Sequence, residues 1–192
     1  MKKIISLFQR NYDSDRLVRD EVVPGAGWVL AGEGVATRKF DGTCAAVRDG
    51  KLYKRYDAKQ GKTPPVGFAP AQDPDRVTGH WPGWLTVGDG TDDNWFRDAW
   101  NRTGDHDKPS GINTGLPDGT YELCGPKVQG NPEGFKCHVL IPHGVEKLDA
   151  PYHYGGIKDY LAVTNIEGIV WHHPDGRMVK IKAKDFGFRR TT

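Results

Sequence analysis

The amino-acid sequence predicts an α+β fold with mostly antiparallel sheets and a few helices. Glycine and proline occupy 25 and 13 of the 192 positions, which favours short strands joined by turns. Alternating apolar and polar residues flank Asp-Gly pairs, which is a strong signal for a β-hairpin. Apolar residues at helical spacing occur in two short segments, so helices are expected to be a minor part of the fold.

The first strands are predicted on both sides of an Asp-Gly turn. The segments GWVLAGEGVATRKF (27–40) and DGTCAAVRDGKLYKRYD (41–57) are interpreted as consecutive strands, with a hairpin at Asp49-Gly50. Residues 58–92 are rich in proline, glycine and aspartate, and they are predicted to form a long loop. The loop-rich excursion as a whole is expected to span 58–107.

A short helix is predicted at NWFRDAWNR (94–102). The residues that could cap its start are Asp92, Asp93 and Asn94. Its apolar face is predicted to consist of Trp95, Ala99 and Trp100. These tryptophans suit core packing better than base stacking.

The C-terminal half adds strands and a second helix. TYELCG (120–125) is predicted to be a strand that begins after the Asp118-Gly119 turn. In YGGIKDYLAVT (154–164), Ile157, Tyr160 and Leu161 recur at helical spacing. IEGIVWHH (166–173) and RMVKIKAKDF (177–186) are predicted to close the fold as a hairpin.

The charge distribution is compatible with a partner that carries phosphate. The net charge is only +2, but residues 177–192 contain six basic residues and one acidic residue, a net of +5. Residues 73–107 contain eight aspartates and three arginines, a net of −5. The basic end could bind nucleic acid or be a solvated tail. The length suits one domain spanning residues 1–192.

The cysteine and histidine patterns argue against structural metal and disulfides. Cys44, Cys124 and Cys137 have no C-x-x-C spacing and leave one cysteine unpaired, which favours a reducing compartment. The seven histidines show no zinc spacing and are interpreted as surface or turn residues. The N-terminal apolar run is too short for a signal peptide and no segment could span a bilayer, so a cytoplasmic protein is expected.

Lys39 could be a hairpin lysine in solvent or a nucleophile. An exposed lysine, with a pKa near 10.4, is a poor nucleophile at neutral pH. Burial or neighbouring cations would change that, since both disfavour the charged form. The basic residues that could converge on it are Lys54, Arg55, Lys180 and Lys182. Lys180 and Lys182 leave the same face of a strand, which predicts an anion-binding wall.

Two glutamates lie in segments that are otherwise apolar. Glu122 lies in TYELCG and Glu167 in IEGIV, where an unpaired charge is costly. A structural salt bridge to a lysine would explain either residue. For either residue alone the salt bridge is the favoured explanation, and both carboxylates would also suit a divalent metal and a ribose hydroxyl.

The order and spacing of five segments resemble the motifs of the lysine-dependent nucleotidyltransferases, which include polynucleotide ligases and mRNA-capping guanylyltransferases. The segments are KFDG (39–42), KRYD (54–57), YELCG (121–125), EGIVW (167–171) and KIKAKDFG (180–187). Lys39 and Glu122 are 83 residues apart, and Glu167 and Lys180 are 13 apart. The resemblance covers residues 28–188 and points to the small stand-alone RNA ligase group.

This resemblance implies an ATP-dependent RNA ligase with an adenylation (nucleotidyltransferase) fold of the ATP-grasp-like, DNA and RNA ligase type. Lys39 would attack the α-phosphate of ATP to give a lysyl-AMP. The other implied roles are turn formation by Asp41 and Gly42, adenine contact by the backbone of Thr37 and Arg38, ribose or phosphate contact by Arg55, ribose contact by Glu122, and phosphate contact by Lys180 and Lys182. Glu167 and Asp41 would hold Mg²⁺ or Mn²⁺. The partner would be RNA with 5′-phosphate and 3′-hydroxyl ends, and a monomer is expected.

The sequence departs from DNA ligases and capping enzymes in two ways. Thr43 and Cys44 follow Gly42, where DNA ligases usually carry an arginine two places after the glycine. Eight residues follow Lys184, so the OB-fold domain of those enzymes is not expected here. The tryptophan-bearing excursion 73–107 could take over RNA clamping. The alternatives are another nucleotidyltransferase and an inactive nucleic-acid-binding module of the same fold.

Overall fold

The computed structural model of this chain describes residues 1–102 and 115–190. The strands in chain order are β1 (Ile5–Ser6), β2 (Phe8–Arg10), β3 (Val18–Val22), β4 (Val35–Lys39), β5 (Thr43–Arg48), β6 (Lys51–Ala58), β7 (Ala69–Pro70), β8 (Trp81–Thr86), β9 (Gly119–Cys124), β10 (Val139–Pro142), β11 (Gly168–His172) and β12 (Met178–Lys182). The helices are α1 (Asn94–Arg102) and α2 (Tyr154–Val163), with 3-10 turns at Thr91–Asp93 and Ala183–Phe186. All strand pairs except β1 with β12 are antiparallel within the described residues. The predicted α+β class is therefore confirmed.

The chain forms two compact units. The first unit consists of Met1–Lys3 and Gly42–His143, and the second of Ile4–Asp41 and Gly144–Thr192. The prediction of a single folding domain over 1–192 stays a prediction. Neither helix in the described part of the chain is long and apolar enough to cross a membrane.

The first unit is built on a six-stranded sheet with the strand order β10-β9-β5-β6-β8-β7. One face of this sheet packs against α1 because alternate residues of its strands are apolar. The buried residues of that layer are Ala45, Val47, Leu52, Phe96, Ala99, Tyr121, Leu123, Val128 and Leu140. The opposite face carries polar and charged side chains, including Glu122 and Arg55.

The second unit contains a four-stranded sheet with the order β1-β12-β11-β4 and a separate β2-β3 pair. Strand β11 is central, and its residues Ile169 and Trp171 are fully buried. Helix α2 contributes Ile157 and Leu161 to the same core. This arrangement places the start of β11, at Gly168, between Lys39 of β4 and Lys182 of β12.

The bounds predicted for α1 are confirmed, but its buried face differs from the prediction. Phe96 and Ala99 are buried, whereas Trp95 is 39% exposed and stacks on His138. Asn94 is the first residue of the helix, and it follows the 3-10 turn that contains Asp93. The difference arises because the sheet of the first unit, rather than the helix alone, decides which face is covered.

The strand prediction for 27–40 is wrong in its first half. Residues 27–34 form successive turns, with Leu30 N–H donating to Gly27 O and Gly32 N–H donating to Val29 O. Strand β4 begins at Val35, and its sheet partner is β11 rather than β5. The hairpin at Asp49-Gly50 is confirmed by the pairing of Arg48 with Lys51.

The long loop predicted for 58–92 contains strands that the composition did not reveal. Strand β8 pairs along its whole length with β6, and β7 pairs with β8. Strand β8 contains Pro82 and Gly83, which lower the expected strand propensity. The part of the excursion after residue 102 lies outside the described residues. The closing hairpin and helix α2 are confirmed.

Candidate active site

The candidate site of the second unit is organised by the start of strand β11. Gly168 pairs with Lys39 of β4 on one side and with Lys182 of β12 on the other. A Cβ atom at Gly168 would lie 2.1 Å from the carbonyl oxygen of Ile181. Only glycine therefore allows this close approach, which brings both lysines beside the preceding residue, Glu167.

Glu167 forms ion pairs with two of the predicted lysines. Its Oε2 lies 2.5 Å from Lys39 Nζ, and its Oε1 lies 2.5 Å from Lys182 Nζ. The carboxylate side chain is only 9% exposed. Burial raises the pKa of Glu167, and the charges and hydrogen bonds of Lys39 and Lys182 lower it. The combined effect of the lysines is larger, so the pKa lies below its ordinary value. The structural salt bridge considered for Glu167 is present, with two lysines instead of one.

Lys180 lies on the same face of β12 as Lys182, as predicted. Val179 and Ile181 point into the core, and the two lysines point away from it. Burial, followed by the charges of Lys182 and Lys39, lowers the pKa of Lys180 to about 8. Its ammonium has no ion pair within residues 1–102 and 115–190. A half-buried cation among other cations is an arrangement that an anion would stabilise.

The lowered pKa of Lys180 predicts a pH-dependent stability. Between pH 8 and 10.5 the folded state holds fewer protons than the unfolded state, so the free energy of unfolding rises with pH across that window. We expect Lys180→Met to be more stable than the wild type below pH 8, with the difference shrinking towards pH 10.5. Urea unfolding at both pH values checks this. A difference as large at high pH as at low pH, or an equal effect of Lys158→Met on exposed α2, would contradict it.

Asp41 and Arg190 also belong to this group. Burial and the charge of Glu167 raise the pKa of Asp41. Arg190 Nη1 lies 3.7 Å from Asp41 Oδ2, and its other terminal nitrogen donates to Asn165 O at 3.0 Å. Arg190 of the predicted basic tail is thus held against the body of the second unit, since its side chain is 13% exposed.

Thr37 and Arg38 precede Lys39 on β4. Thr37 is buried, and its hydroxyl donates to Val170 O at 3.1 Å. His172 Nε2 lies 3.0 Å from the same hydroxyl oxygen. Arg38 N–H donates to Glu146 O, and its guanidinium lies over the ring of Phe40. The predicted contact of this backbone with adenine stays a prediction.

The other predicted residues lie in the first unit. Glu122 is 7% exposed, and its Oε1 accepts a hydrogen bond from Gly42 N–H at 3.2 Å. A Cβ atom at Gly42 would lie 2.2 Å from Leu123 O, so a glycine is required there. Arg55 lies over the ring of Trp84 and donates to Met1 O at 2.7 Å. The salt bridge to lysine considered for Glu122 is absent from the described residues.

His143 is a site residue that the sequence prediction missed. Its Nε2 lies 2.9 Å from Glu122 Oε2, and its Nδ1 lies 2.9 Å from Thr120 Oγ1. An ionised carboxylate only accepts hydrogen bonds, so Nε2 carries the proton that bonds Glu122. The interpretation of all histidines as surface or turn residues is also wrong for His138, which is 5% exposed. Motif spacing gives no signal for either residue, because the contacts depend on long-range strand register.

The carboxylates of the second unit are candidate ligands for a metal ion. No group of three or more His, Cys, Asp or Glu side chains within the described ranges could hold a metal ion alone. Glu167 and Asp41 nevertheless lie close enough for the charge of one to raise the pKa of the other. Mg²⁺ is commonly bound by one or two carboxylates together with substrate phosphates, and this pair fits that mode.

Comparisons with known proteins converge on one family. A family model described as RNA ligase 1 matches residues 112–191. RNA ligase 1 of Danio rerio is 36% identical over 84 residues, which cover 38% of this chain and 26% of the relative. RNA ligase 1 of Pongo abelii is 35% identical over 82 residues, covering 35% of this chain and 24% of the relative.

A longer match reaches the N-terminal half of the chain. RNA ligase 1 of Rattus norvegicus is 26% identical over 222 residues, covering 80% of this chain and 67% of the relative. In the matches at higher identity, the aligned region spans only about a quarter of the curated relatives. The chain is thus similar to RNA ligase 1 proteins over residues 112–191 and, at lower identity, over 80% of its length.

Proposed function

We propose that this chain is an ATP-dependent RNA ligase in which Lys39 becomes covalently adenylated. The observation that carries the proposal is the cluster of three lysines around one buried carboxylate. Glu167 contacts Lys39 and Lys182, and Lys180 lies beside them without an acidic partner among the described residues. Phosphoryl transfer depends mainly on positioning and on stabilising negative charge, and this cluster suits both tasks.

In the first step, a bond would form between Lys39 Nζ and the α-phosphorus of ATP while the bond to pyrophosphate breaks. The ammonium of Lys39 donates to Glu167 and to Phe40 O, so it must lose a proton to solvent before it can attack. Lys180 and Lys182 would bind the α-phosphate oxygens and offset the charge that develops there. Incoming phosphate would also compete with Glu167 for the lysines, which would release Lys39 for reaction.

A divalent metal, Mg²⁺ or Mn²⁺, would be held by Glu167 and Asp41 and would supply positive charge at the phosphates. In the structure the lysines already neutralise Glu167, while Asp41 has its pKa raised by burial and by Glu167. Added positive charge beside Asp41 would therefore favour the ionised form of that carboxyl. Arg190, whose Nη1 lies 3.7 Å from Asp41 Oδ2, already adds one positive charge beside that carboxyl.

The remaining two steps would transfer the adenylate to RNA and seal it. An oxygen of the RNA 5′-phosphate would attack the α-phosphorus, which breaks the bond to nitrogen and regenerates Lys39. A 3′-hydroxyl would then attack the 5′-phosphorus of the RNA, release AMP and lose its proton to solvent. We further propose a monomeric, cytoplasmic protein with no membrane partner, in keeping with the reducing compartment that the cysteines favour.

The test is intact-mass measurement of the protein after incubation with ATP and Mg²⁺, followed by sealing assays. We expect the mass of one AMP to be added, and 5′-phosphorylated RNA ends to be joined to 3′-hydroxyl ends. RNA with a 5′-hydroxyl is the matched control and should not be joined. A protein that gains no adduct with ATP or GTP, with either Mg²⁺ or Mn²⁺, would instead be a binding module.

The contacts of Glu122 predict a supporting role for His143. If Glu122 binds the ribose hydroxyls, His143→Ala should raise the KM for ATP by about tenfold and reduce the preference for ATP over 2′-deoxy-ATP, since a buried hydrogen bond is lost. His143→Gln retains an N–H donor and should restore part of the preference. Adenylation kinetics with both nucleotides measure this. The control is His80→Ala, an exposed histidine of the same unit, and an equal loss there would contradict the prediction.

A further inference from the structure

The face of the first-unit sheet opposite α1 carries a cluster of donors with few acceptors. Arg55 pairs with Trp84 across strands β6 and β8, and directly opposed residues project from the same face. The guanidinium carbon of Arg55 lies 5.0 Å from the centre of the Trp84 ring, and that of Arg48 lies 5.2 Å from it. Two cations are thus held over one fully buried indole.

Neither guanidinium is neutralised by a carboxylate in the described part of the chain. Arg55 donates to a neutral group, the carbonyl oxygen of Met1. Arg48 is exposed, and its contacts are with the rings of Trp84 and Tyr53. Burial lowers the pKa of Arg55, the charges of Cys44 and Asp57 raise it, and the charge of Arg48 lowers it. Asp57 itself is paired with His80, 2.6 Å away.

The indole beneath the arginines is fully buried. Its Nε1 has no hydrogen-bond acceptor within residues 1–102 and 115–190, and the same is true of Trp28 and Trp171 in the second unit. The unpaired indole donor by itself therefore does not mark a ligand site, whereas the pair of arginines is particular to this sheet face. The cluster offers several N–H donors and lacks an anion. The planar, positively charged guanidinium of arginine can donate two parallel hydrogen bonds to the oxygens of a phosphate group.

The position of the cluster favours a polymer over a mononucleotide. Cys44 lies opposite Glu122 in the sheet, and Arg48 is four residues further along β5. Four residues of strand span about 13 Å. If Glu122 binds the ribose of the adenylate, Arg48 lies about 13 Å along the sheet from that contact, a distance that an RNA strand could bridge.

We propose that Arg48 and Arg55, stacked on Trp84, form a second phosphate site that binds a backbone or terminal phosphate of the RNA strand. This inference rests on the proposed ligase function and adds a location for the RNA. Stacking on the indole holds the two guanidinium groups in place before binding, which reduces the entropy lost when the phosphate arrives. Arg48 lies outside the five motif segments, so the motif pattern assigns no role to it.

The experiment compares Arg48→Gln and Arg48→Lys with the wild type. Binding of 5′-phosphorylated single-stranded RNA is measured by fluorescence anisotropy at several salt concentrations, and adenylation is measured by intact mass. We expect Arg48→Gln to bind RNA about tenfold more weakly, with a salt slope smaller by about 0.7, and to adenylate normally. Arg48→Lys should keep the salt slope but recover only part of the affinity, because lysine loses the planar stacking.

The matched control is Arg76→Gln, which removes an exposed arginine of the same unit. Unchanged RNA affinity and salt slope in Arg48→Gln, or an equal change in Arg76→Gln, would overturn the proposal. An increased KM for ATP with unchanged RNA binding would also overturn it, because the phosphate would then belong to the nucleotide. Failure of the wild type to adenylate would instead reject the ligase function itself, so the two failures can be distinguished.

Discussion

Replacing Lys39 with alanine or arginine is expected to abolish the AMP adduct. Lys39→Ala removes the only atom that could form the proposed bond at this position, and Lys39→Arg replaces it with a guanidinium that stays protonated and does not attack phosphorus. The arginine variant should keep the ion pair with Glu167, so its loss of activity would not reflect unfolding. Intact-mass spectra after incubation with ATP and Mg²⁺ measure the result.

The control for this result is Lys158→Ala, which removes an exposed lysine from α2 of the same unit. It should be adenylated as the wild type is. An adduct that persists on Lys39→Arg would show that a different residue is the nucleophile. Lys180 and Lys182 would then be the first candidates, because both lie in the same cluster, and peptide mapping of the adduct would decide between them.

Replacing Glu167 with alanine is expected to cost about 3 kcal/mol of stability. Lys39 and Lys182 would lose their shared partner, and Lys180, which is already half-buried, would face two further uncompensated cations. Breaking a buried pair from one side leaves charge that cannot return to water, which is why the cost exceeds that of a surface pair. Urea-induced unfolding measures the change.

The exposed pair of Arg38 and Glu146 supplies the comparison. Glu146→Ala should cost less than about 1 kcal/mol, since its side chain is 43% exposed and solvent screens the pair. Equal losses for Glu167→Ala and Glu146→Ala would show that burial of Glu167 contributes little. Both Glu167 variants, Ala and Gln, should also reduce adduct formation if this carboxylate helps to hold the metal.

Because the pKa of Glu167 is lowered in the folded protein, the free energy of unfolding should fall in acid. The folded state holds the proton of this carboxyl less readily than the unfolded state, so its contribution to stability is present above pH 4.5 and is lost as pH falls through the folded pKa. Wild type should therefore lose stability faster than Glu167→Gln below pH 4.5. Parallel acid titrations of the two proteins would contradict this.

Local features of the chain were predictable where short-range physics decides them. The bounds of α1, the hairpin at Asp49-Gly50 and the shared face of Lys180 and Lys182 follow from helical spacing, turn chemistry and strand alternation. The segment 27–34 was predicted wrongly because its apolar residues Trp28 and Val29 are buried through turns rather than through a strand. The spacing of apolar residues does not distinguish a buried strand from buried turns.

The sequence by itself determined which charged residues exist, their order and their strand faces, and these were enough to predict an RNA ligase family. Only the tertiary structure decided their partners. Glu167 forms ion pairs with two lysines because the next residue, Gly168, lies opposite both Lys39 and Lys182 in the sheet. Glu122 takes His143 and the amide of Gly42, and Arg48 joins Arg55 over Trp84. Such contacts join residues far apart in the chain, so they depend on sheet register, which no local pattern of side chains specifies.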